Sequence, residues 1–301
     1  MRITVLVNRG AGSVASGQVS AEGLRQSFLE EGTAADVQVI PGERIAAAAR
    51  EAVAAGADAV VAGGGDGTIR SVAGVLAGGP VPLGVLPLGT LNHFAQDLGI
   101  PTDLAAAVRL IPRGEVRSLD VGEVNGEVFI NNSVLGFYPP VVKLRDRERR
   151  ELNRGKWLAT ASAMLKVLPK LPSLHVRIKV EGLASDWRTR FVFVGNNEYE
   201  MSAFSYGARR RFDSDLYLYI SKTSTRLGLV GLILLGIVRN VAQTEHFQRW
   251  CLPEFTVETR KKILPVYLDG EVTSLRPPLH YRTRPQDLRV IVPLPTSAEP
   301  P

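Results

Sequence analysis

A carboxylate surrounded by glycines lies in the first quarter of the chain. Asp66 belongs to the run Gly63-Gly64-Gly65-Asp66-Gly67-Thr68, which follows the apolar Val60-Val61-Ala62 directly. Glycines let backbone N–H groups approach anionic oxygens, and Thr68 can cap a following helix whose positive end faces the anion. Phosphates repel a carboxylate unless it holds a magnesium ion or accepts a proton from an attacking hydroxyl. The run therefore predicts a phosphoryl-transfer site, with a plain glycine turn as the alternative.

A second glycine-containing segment repeats this pattern further along the chain. The strand-like Leu83-Gly84-Val85-Leu86 leads through Pro87-Leu88 to Gly89-Thr90-Leu91-Asn92. Thr90 could hold a phosphate through its hydroxyl and backbone, and Asn92 could bond either to its own loop or to a nucleotide. A simple helix cap is the alternative for this segment taken alone. Two such loops facing one cleft favour nucleotide binding more strongly than either loop does.

The pattern around these loops predicts a parallel sheet covered by helices on both faces. Short β-rich runs alternate with alanine-rich stretches as in βαβ units, and ligands of such sheets bind at the carboxyl ends of the strands. We expect an α/β nucleotide-binding domain over residues 1–115. Its strands are expected at 2–7, 37–40, 59–62 and 83–86, and its helices at 21–31, 43–55, 69–76 and 91–98.

Beyond residue 116 the pattern changes to closely spaced strand candidates, which predicts a mostly antiparallel β-rich domain over residues 116–301. A helical region at 141–168 interrupts the strands, and the last strand is a candidate to return to the first domain. The strands are expected at 118–124, 128–132, 174–180, 190–194, 216–220, 255–257, 266–268 and 288–292.

The composition favours a cytoplasmic protein. The single cysteine, Cys251, excludes an internal disulfide and a cysteine-rich metal site. The apolar start at Met1 to Asn8 is too short for a signal peptide. The longest uncharged apolar stretch, Leu227 to Val238, would as a helix span roughly 18 Å of a roughly 30 Å hydrocarbon layer. We expect either a buried helix there or one that lies on a membrane.

Three segments resemble the diacylglycerol kinase catalytic family, which includes bacterial lipid kinases and sphingosine kinases. Gly64 to Thr68 corresponds to the family's nucleotide loop, and Gly89 to Ala95 resembles its second signature. Asp269-Gly270-Glu271 matches the late Asp-Gly-Glu turn, whose glutamate is assigned as the catalytic base. The resemblance spans nearly the whole chain in the expected order, with Asn8 opening the first loop and Val194-Gly195-Asn196-Asn197 in the middle.

The resemblance implies a lipid kinase that transfers the γ-phosphoryl group of ATP to the hydroxyl of diacylglycerol or a related membrane lipid. Asp66 and the loop Gly64 to Thr68 would engage ATP and its Mg²⁺, Thr90 the phosphates and Glu271 the lipid hydroxyl. The implied fold is an N-terminal domain like that of phosphofructokinase and NAD kinase, followed by a C-terminal β-sandwich. We expect Asp66 and Glu271 to share the catalytic work, since a loose transition state asks little of a base beyond alignment.

The resemblance also implies a structural magnesium in the second domain, as in bacterial members. Asp213 would be its side-chain ligand, with the carbonyls of Arg210 and Asp215; without the resemblance, the two aspartates would be read as a solvated turn. Three departures concern the nucleotide. Val39-Ile40-Pro41 stands after the second strand, where the family often has a threonine that touches ATP, and the other two replace single residues. Arg9 replaces the usual proline after Asn8, and His93 replaces a common aspartate, which removes one potential carboxylate for magnesium.

The positive charge favours polyanionic partners. The net charge is +6, with basic clusters at 143–150, 209–211 and 260–262. No helix-turn-helix, zinc finger or aromatic stacking platform supports nucleic acid binding. For a lipid kinase we expect anionic phospholipids at the inner face of the membrane, where each Lys or Arg contributes about 1 kcal/mol. A solvated helix face is the alternative for the first cluster, because it also contains acidic residues.

Two other functions stay open at this point. NAD kinases share the Gly-Gly-Asp-Gly-Thr loop and the domain architecture, although the second loop and the Asp-Gly-Glu turn favour a lipid kinase. A non-catalytic nucleotide-binding protein is the other alternative. The sequence leaves open which lipid is phosphorylated, and it leaves open the oligomeric state, with a homodimer among the alternatives.

Overall fold

The computed structural model describes residues 1–136, 139–140, 173–201, 206–209, 215–222, 225 and 247–294. The helices are α1 (Gly12–Ala15), α2 (Ala21–Glu30), α3 (Ile45–Ala54), α4 (Asp66–Leu76), α5 (His93–Asp97) and α6 (Leu104–Arg113). A 3₁₀ turn, Gly42–Arg44, precedes α3. The strands are β1 (Ile3–Asn8), β2 (Ala35–Ile40), β3 (Ala59–Gly64), β4 (Leu83–Pro87), β5 (Glu115–Val124), β6 (Glu127–Phe129), β7 (Asn132–Gly136), β8 (Leu174–Val180), β9 (Leu183–Thr189), β10 (Phe191–Gly195), β11 (Glu198–Met201), β12 (Tyr206–Arg209), β13 (Leu216–Ser221), β14 (Phe247–Leu252), β15 (Glu254–Thr259), β16 (Leu264–Leu268), β17 (Glu271–Leu275) and β18 (Leu279–Val292).

The chain forms two compact units. The first comprises Met1–Val121 and Pro285–Pro301, and the second comprises Gly122–Arg284. Strands β5 and β18 each have one end in the first unit and the other end in the second. The boundary near residue 115 remains a prediction of where independently folding domains divide.

The first unit is built on a parallel sheet with the order β2-β1-β3-β4, and the C-terminal end of β18 follows β4. Strands β1 and β3 are buried almost throughout, as continuous apolar runs in a doubly covered sheet should be. Capping residues set two of the helix starts: Ser20 accepts the N–H of Gly23 before α2, and Asp103 accepts that of Ala106 before α6. The predicted α/β architecture is confirmed.

The second unit is antiparallel. One sheet has the order β14-β13-β10-β7-β16-β17, and in a second sheet the N-terminal end of β18 is followed by β15, β8 and β9. Alternate side chains of both sheets form one shared core, in which Tyr281 stacks on Phe255 at 5.0 Å and meets Phe129 edge-on. The Tyr281 hydroxyl lies 2.9 Å from Ser133 Oγ, and burial raises its pKa. The predicted antiparallel second domain is thus confirmed as a sandwich of two sheets.

Several predicted boundaries were wrong for local reasons. Helix α4 begins at Asp66 rather than at residue 69, with Gly65 as its N-cap, so Thr68 lies inside the first turn and does not cap the helix. The strand predicted at 128–132 is broken, because the backbone N–H groups of Ile130 and Asn131 turn towards the Asp269 carboxylate. The helical region predicted at 141–168 lies outside the described residues.

Glu123, near the end of β5, forms ion pairs with two arginines of β18. It accepts two hydrogen bonds from Arg282 at 2.9 and 3.1 Å and a third from Arg284 at 3.1 Å, and it is 8% exposed. Burial by itself would raise the pKa of the Glu123 carboxyl, but the hydrogen bonds and charges of the two guanidinium groups outweigh it and lower that pKa. The ionised form of Glu123 therefore stabilises the fold.

We predict that Glu123→Gln lowers the free energy of unfolding by about 1–2 kcal/mol at neutral pH, a value reduced by solvent screening at the more exposed Arg282. The lowered pKa means that this difference is fully present above the ordinary glutamate pKa of about 4.3. It is lost as the pH falls below that value through the pKa of the folded protein. Urea unfolding of both proteins between pH 7 and the acid limit of folding measures it. The exposed Glu254→Gln is the control, and a Glu123→Gln deficit that stays constant across the acid range would contradict the assignment.

Candidate functional site

Three loops follow neighbouring parallel strands in the first unit. The segments 8–12, 64–68 and 87–92 lie at the carboxyl ends of β1, β3 and β4, which are adjacent in the sheet. Ligands of such sheets bind at this edge. The loops also contact one another directly: Leu88 donates its N–H to the Gly64 carbonyl at 3.1 Å. The two glycine loops predicted from the sequence are therefore brought together, and the loop after β1 joins them.

Asn8 ties the first loop to the second. Its Nδ2 donates to Thr68 Oγ1 at 3.0 Å, and its Oδ1 accepts the N–H of Gly10 at 2.9 Å. Thr68 is buried, so its hydroxyl serves the packing of the loops. Gly42 also contributes to this contact, although it was not predicted from the sequence. A Cβ there would lie 3.1 Å from Asn8 Nδ2 and would crowd the Asn8 side chain. Arg9 is exposed, and its backbone N–H donates to the Ile40 carbonyl at 2.8 Å.

The glycines allow the loops to approach more closely than side chains would permit. A Cβ at Gly64 would lie 2.5 Å from Thr68 Oγ1, and a Cβ at Gly89 would lie 2.5 Å from the Cα of Gly65. Both separations are far below ordinary van der Waals contact. The second and third loops are thus in contact through their backbones, at Gly65 and Gly89.

Asn92 holds the third loop in shape. It lies in the left-handed region with φ 51°, where asparagine is tolerated. Its Oδ1 accepts the N–H of Gly89, and its Nδ2 donates to the carbonyls of Pro87 and Gly89, at 3.0 to 3.1 Å. Of the two alternatives left open by the sequence, the structure shows Asn92 bonded to its own loop. This leaves Thr90 exposed at the tip.

Asp66 links the second loop to α5. Its Oδ1 accepts the N–H of Phe94 at 3.0 Å and its Oδ2 that of His93 at 3.3 Å, and the residue is half-buried. As the first residue of α4 it also lies at the positive end of the helix dipole. An ionised carboxylate can accept about four hydrogen bonds, so these two contacts leave it capacity for a further ligand.

The donor set at the loops suits a magnesium ion carried by a nucleotide. Mg²⁺ is usually bound through one or two carboxylates, with phosphates and waters as the other ligands. Asp66 fits that mode, whereas His93 adds no carboxylate. Among the residues that the structure describes, no group of three or more His, Cys, Asp and Glu side chains could hold a metal alone.

Glu271 lies in the second unit, at the start of β17 after a two-residue hairpin turn. The turn residues Asp269 and Gly270 have φ values of 44° and 116°. Asp269 is 2% exposed, and its carboxylate accepts three backbone N–H groups, whereas Glu271 is exposed. Asp269 was predicted as part of the Asp-Gly-Glu turn, but no role was assigned to it from the sequence. An aspartate before glycine in a tight hairpin was the available signal.

The predicted structural magnesium site falls mostly outside the described residues. Arg210 and Asp213 are not described. The basic cluster at 143–150, the apolar stretch at 227–238 and His246 also lie outside the described residues. Asp215 precedes β13, and its carboxylate accepts the thiol of Cys251 at 3.7 Å. His280 contacts Thr256 Oγ1 through Nδ1 at 3.1 Å.

Comparison with known proteins identifies the family. The family model for the diacylglycerol kinase catalytic domain matches residues 2–124. A Pseudomonas aeruginosa PAO1 protein named "Probable lipid kinase YegS-like" is 35% identical over 248 residues, which are 78% of this chain and 78% of the relative. The chain belongs to the diacylglycerol kinase catalytic domain family. A Pseudomonas fluorescens relative of the same name is 30% identical over 76% of this chain and 75% of its own.

Solved structures of diacylglycerol kinase type share the fold. A crystal structure of a candidate diacylglycerol kinase from Bacillus anthracis str. Sterne covers 97% of this chain and 97% of its own, with a TM-score of 0.72 and 22% identity. Another diacylglycerol kinase structure from the same organism has a TM-score of 0.66 and 20% identity, over 97% and 96% of the chains. The family match to residues 2–124 includes the three loops but not Glu271. The family match therefore supports the loops, whereas the role of Glu271 rests on the resemblance of residues 269–271 to the family's Asp-Gly-Glu turn.

In the described ranges, no helix has the length and apolar character needed to cross a bilayer.

We predict that Gly89→Ala lowers the free energy of unfolding by about 1–3 kcal/mol, because the new methyl group would overlap the Gly65 backbone and one loop must move. Urea denaturation measures the change. Gly12→Ala is the matched control, since nothing lies within 4 Å of a Cβ at Gly12. Equal stability of the Gly89→Ala protein and the wild type would show that the loops do not make this contact.

Proposed function

We propose that this protein is an ATP-dependent lipid kinase that transfers the γ-phosphoryl group to the hydroxyl of a membrane lipid, diacylglycerol or a relative of it. The observation that carries the proposal is the backbone contact between two glycine loops at the carboxyl ends of parallel strands, in a chain of the diacylglycerol kinase catalytic domain family. Relatives of similar length are named as probable lipid kinases.

The loops supply what the triphosphate of ATP needs. N–H groups of glycine loops and the positive end of a helix bind phosphate oxygens without requiring a cationic side chain. Gly65 is the N-cap of α4, so the first N–H groups of this helix emerge at the second loop. Thr90 lies exposed on the third loop, and in our proposal its hydroxyl binds a phosphate oxygen. Asn8 and Asn92 act by holding these loops in place.

Magnesium would be held by Asp66 together with the phosphates of the nucleotide, and it would neutralise the charge that develops on the transferred group. Asp66 also sets the start of α5 through its two backbone contacts, so it has a structural task besides ligation. A second, structural magnesium at Asp213, with the carbonyls of Arg210 and Asp215, remains part of the proposal.

Glu271 is the proposed base. Its exposed carboxylate follows a rigid turn, and an ionised carboxylate can accept the proton of a lipid hydroxyl. Phosphoryl transfer through a loose transition state requires the hydroxyl to be aligned more than deprotonated early. In our proposal Glu271 orients the hydroxyl and takes its proton late in the step.

The proposed place of action is the cytoplasmic surface of an anionic membrane. Arg260, Lys261 and Lys262 link β15 to β16 and are all exposed, and the following Ile263 is 57% exposed. Cations beside an exposed apolar side chain suit the headgroup region of an anionic bilayer, where each basic residue adds about 1 kcal/mol. This segment, 260–263, would help to bring the enzyme to its lipid substrate in phospholipid metabolism.

We predict that the protein, given labelled ATP, Mg²⁺ and a detergent-dispersed total lipid extract, transfers label to one lipid class. Glu271→Gln and Asp66→Asn should lower turnover by about 100-fold or more, because the first change removes the proton acceptor and the second removes a charged ligand of magnesium. Thin-layer chromatography and mass spectrometry of the labelled lipid identify the substrate.

The matched control is Glu254→Gln, which makes the same chemical change at an exposed position of the second unit. NAD is offered in a parallel reaction. Phosphorylation of NAD and of no lipid would replace the proposal with an NAD kinase, and binding of ATP without transfer to either acceptor would make the protein a nucleotide-binding module.

We predict that replacing Arg260, Lys261 and Lys262 by alanine weakens binding to vesicles of phosphatidylglycerol and phosphatidylcholine by up to about 100-fold, which corresponds to about 1 kcal/mol per lost charge. Binding to pure phosphatidylcholine vesicles should change little. Vesicle flotation at low and physiological ionic strength measures both.

The control for the vesicle experiment removes three exposed cations elsewhere, at Arg50, Arg188 and Lys222, which leaves the net charge equal to that of the first variant. Equal losses in the two triple variants would mean that only the overall charge matters. Equal binding of the wild type to both vesicle types would remove the electrostatic part of the proposal.

A further inference from the structure

We propose that Asp269 is a positioning residue for Glu271: its buried carboxylate fixes the hairpin turn from which the Glu271 side chain reaches the lipid hydroxyl. The inference rests on the proposed function, in which Glu271 aligns that hydroxyl. It adds a residue that acts through the backbone and not through contact with a substrate.

The Asp269 carboxylate is bound by three consecutive backbone amides. Oδ2 accepts the N–H of Ile130 at 2.6 Å, and Oδ1 accepts those of Asn131 at 2.9 Å and Asn132 at 2.8 Å. In the opposite direction, the Asp269 N–H donates to the Asn132 carbonyl at 3.2 Å. Hydrogen bonds to an ionised acceptor are roughly twice as strong as neutral ones, and Asp269 is almost fully buried. The turn is therefore attached firmly to the segment between β6 and β7.

This attachment reaches Glu271 because the turn is very short. Only Asp269 and Gly270 separate the paired residues Leu268 and Glu271, and both have positive φ. A two-residue turn of this kind has little freedom to adjust, so an anchor on its first residue also fixes the backbone of Glu271. Strand β16 also pairs with β7, through Tyr267 with Val134 and Leu268 with Ser133. These pairs hold one strand of the hairpin, whereas Asp269 holds its turn.

The segment that receives the carboxylate is itself held from the other side. Asn196, directly after β10, donates its N–H to the Asn131 carbonyl at 2.9 Å and its Nδ2 to the Ile130 carbonyl at 3.3 Å. Residues 130–132 thus have their N–H groups on the Asp269 carboxylate and two of their carbonyls on Asn196. An anchor supported in this way can resist the small displacements that weaken catalysis, for which about 1 Å can cost roughly 100-fold in rate.

The substitution that isolates this role is Asp269→Asn. Asparagine has the same shape and also tolerates the left-handed region. It keeps one oxygen for the N–H groups of Asn131 and Asn132 but turns an NH₂ group towards the N–H of Ile130. One anchoring bond is then replaced by a repulsive donor–donor contact, while the hairpin can still form.

The experiment compares kcat and KM in a double-mutant cycle of Asp269→Asn and Glu271→Gln, with full-length protein, ATP and the lipid identified by the extract screen. We expect Asp269→Asn alone to lower kcat by about 10- to 100-fold, with KM for ATP unchanged within about twofold. In the Glu271→Gln background the same change should have an effect of less than about twofold, because the side chain that Asp269 positions is already impaired.

The possible outcomes of the cycle distinguish the positioning role of Asp269 from the catalytic role of Glu271. An equal loss of kcat in both backgrounds, or a KM for ATP that rises with an unchanged kcat, would show that Asp269 does not act through Glu271. Wild-type turnover of Glu271→Gln would overturn the role of Glu271 in the proposed function, and the positioning role would fall with it. Wild-type turnover of Asp269→Asn beside an inactive Glu271→Gln protein would overturn the positioning role alone.

Two further measurements separate positioning from loss of the fold. Hydrogen exchange should show faster exchange of the Ile130 amide in Asp269→Asn, with the core strands as protected as in the wild type. The control variant is Asp103→Asn, which removes charge from a carboxylate that accepts the N–H of Ala106 at 2.9 Å in the first unit. It should leave kcat unchanged, and faster exchange throughout the core in Asp269→Asn would assign the lost activity to the fold.

Discussion

The close approach of two backbone segments is the constraint on which the first unit depends. The second and third loops can meet because Gly89 has no side chain where it packs on the Gly65 backbone, and the second loop can fold over Thr68 because Gly64 has none. Asn8, Thr68 and Asn92 then use their polar groups on the loops themselves. The two loops therefore meet through their backbones, with the positive end of α4 at the second loop, an arrangement of the kind that binds anions.

Much of this arrangement could be predicted from the sequence, because a glycine-rich segment directly after an apolar strand is typical of a phosphate-binding loop. The strands β1, β3 and β4 are buried on both faces, so their apolar runs are continuous and end close to the predicted residues. Strand β9 was missed for the opposite reason, since its residues are almost all exposed and carry no alternating pattern. Helix α6 was missed as well, and Pro112 near its end obscures it.

Contacts between distant residues could not be predicted. Nothing in the sequence indicates that Asn8 donates to Thr68, or that the amides of 130–132 meet a carboxylate more than 130 positions later. Such pairings depend on register, which hydrophobic patterns constrain only to a face of the sheet. For the same reason the sequence placed Asp66 beside phosphates without showing that its carboxylate also binds the start of α5.

The position of β18 beside β4 has a consequence for biosynthesis. The residue that pairs with Leu83 is Val290, so the strand that extends the sheet of the first unit past β4 is among the last described parts of the chain to leave the ribosome. Nearly all of the second unit is translated before that strand, and an amino-terminal fragment that ends at β4 or β5 would expose the apolar edge that Val290 normally covers. The sheet of the first unit is therefore completed only after nearly all of the second unit has been translated, although its loops lie much earlier in the chain.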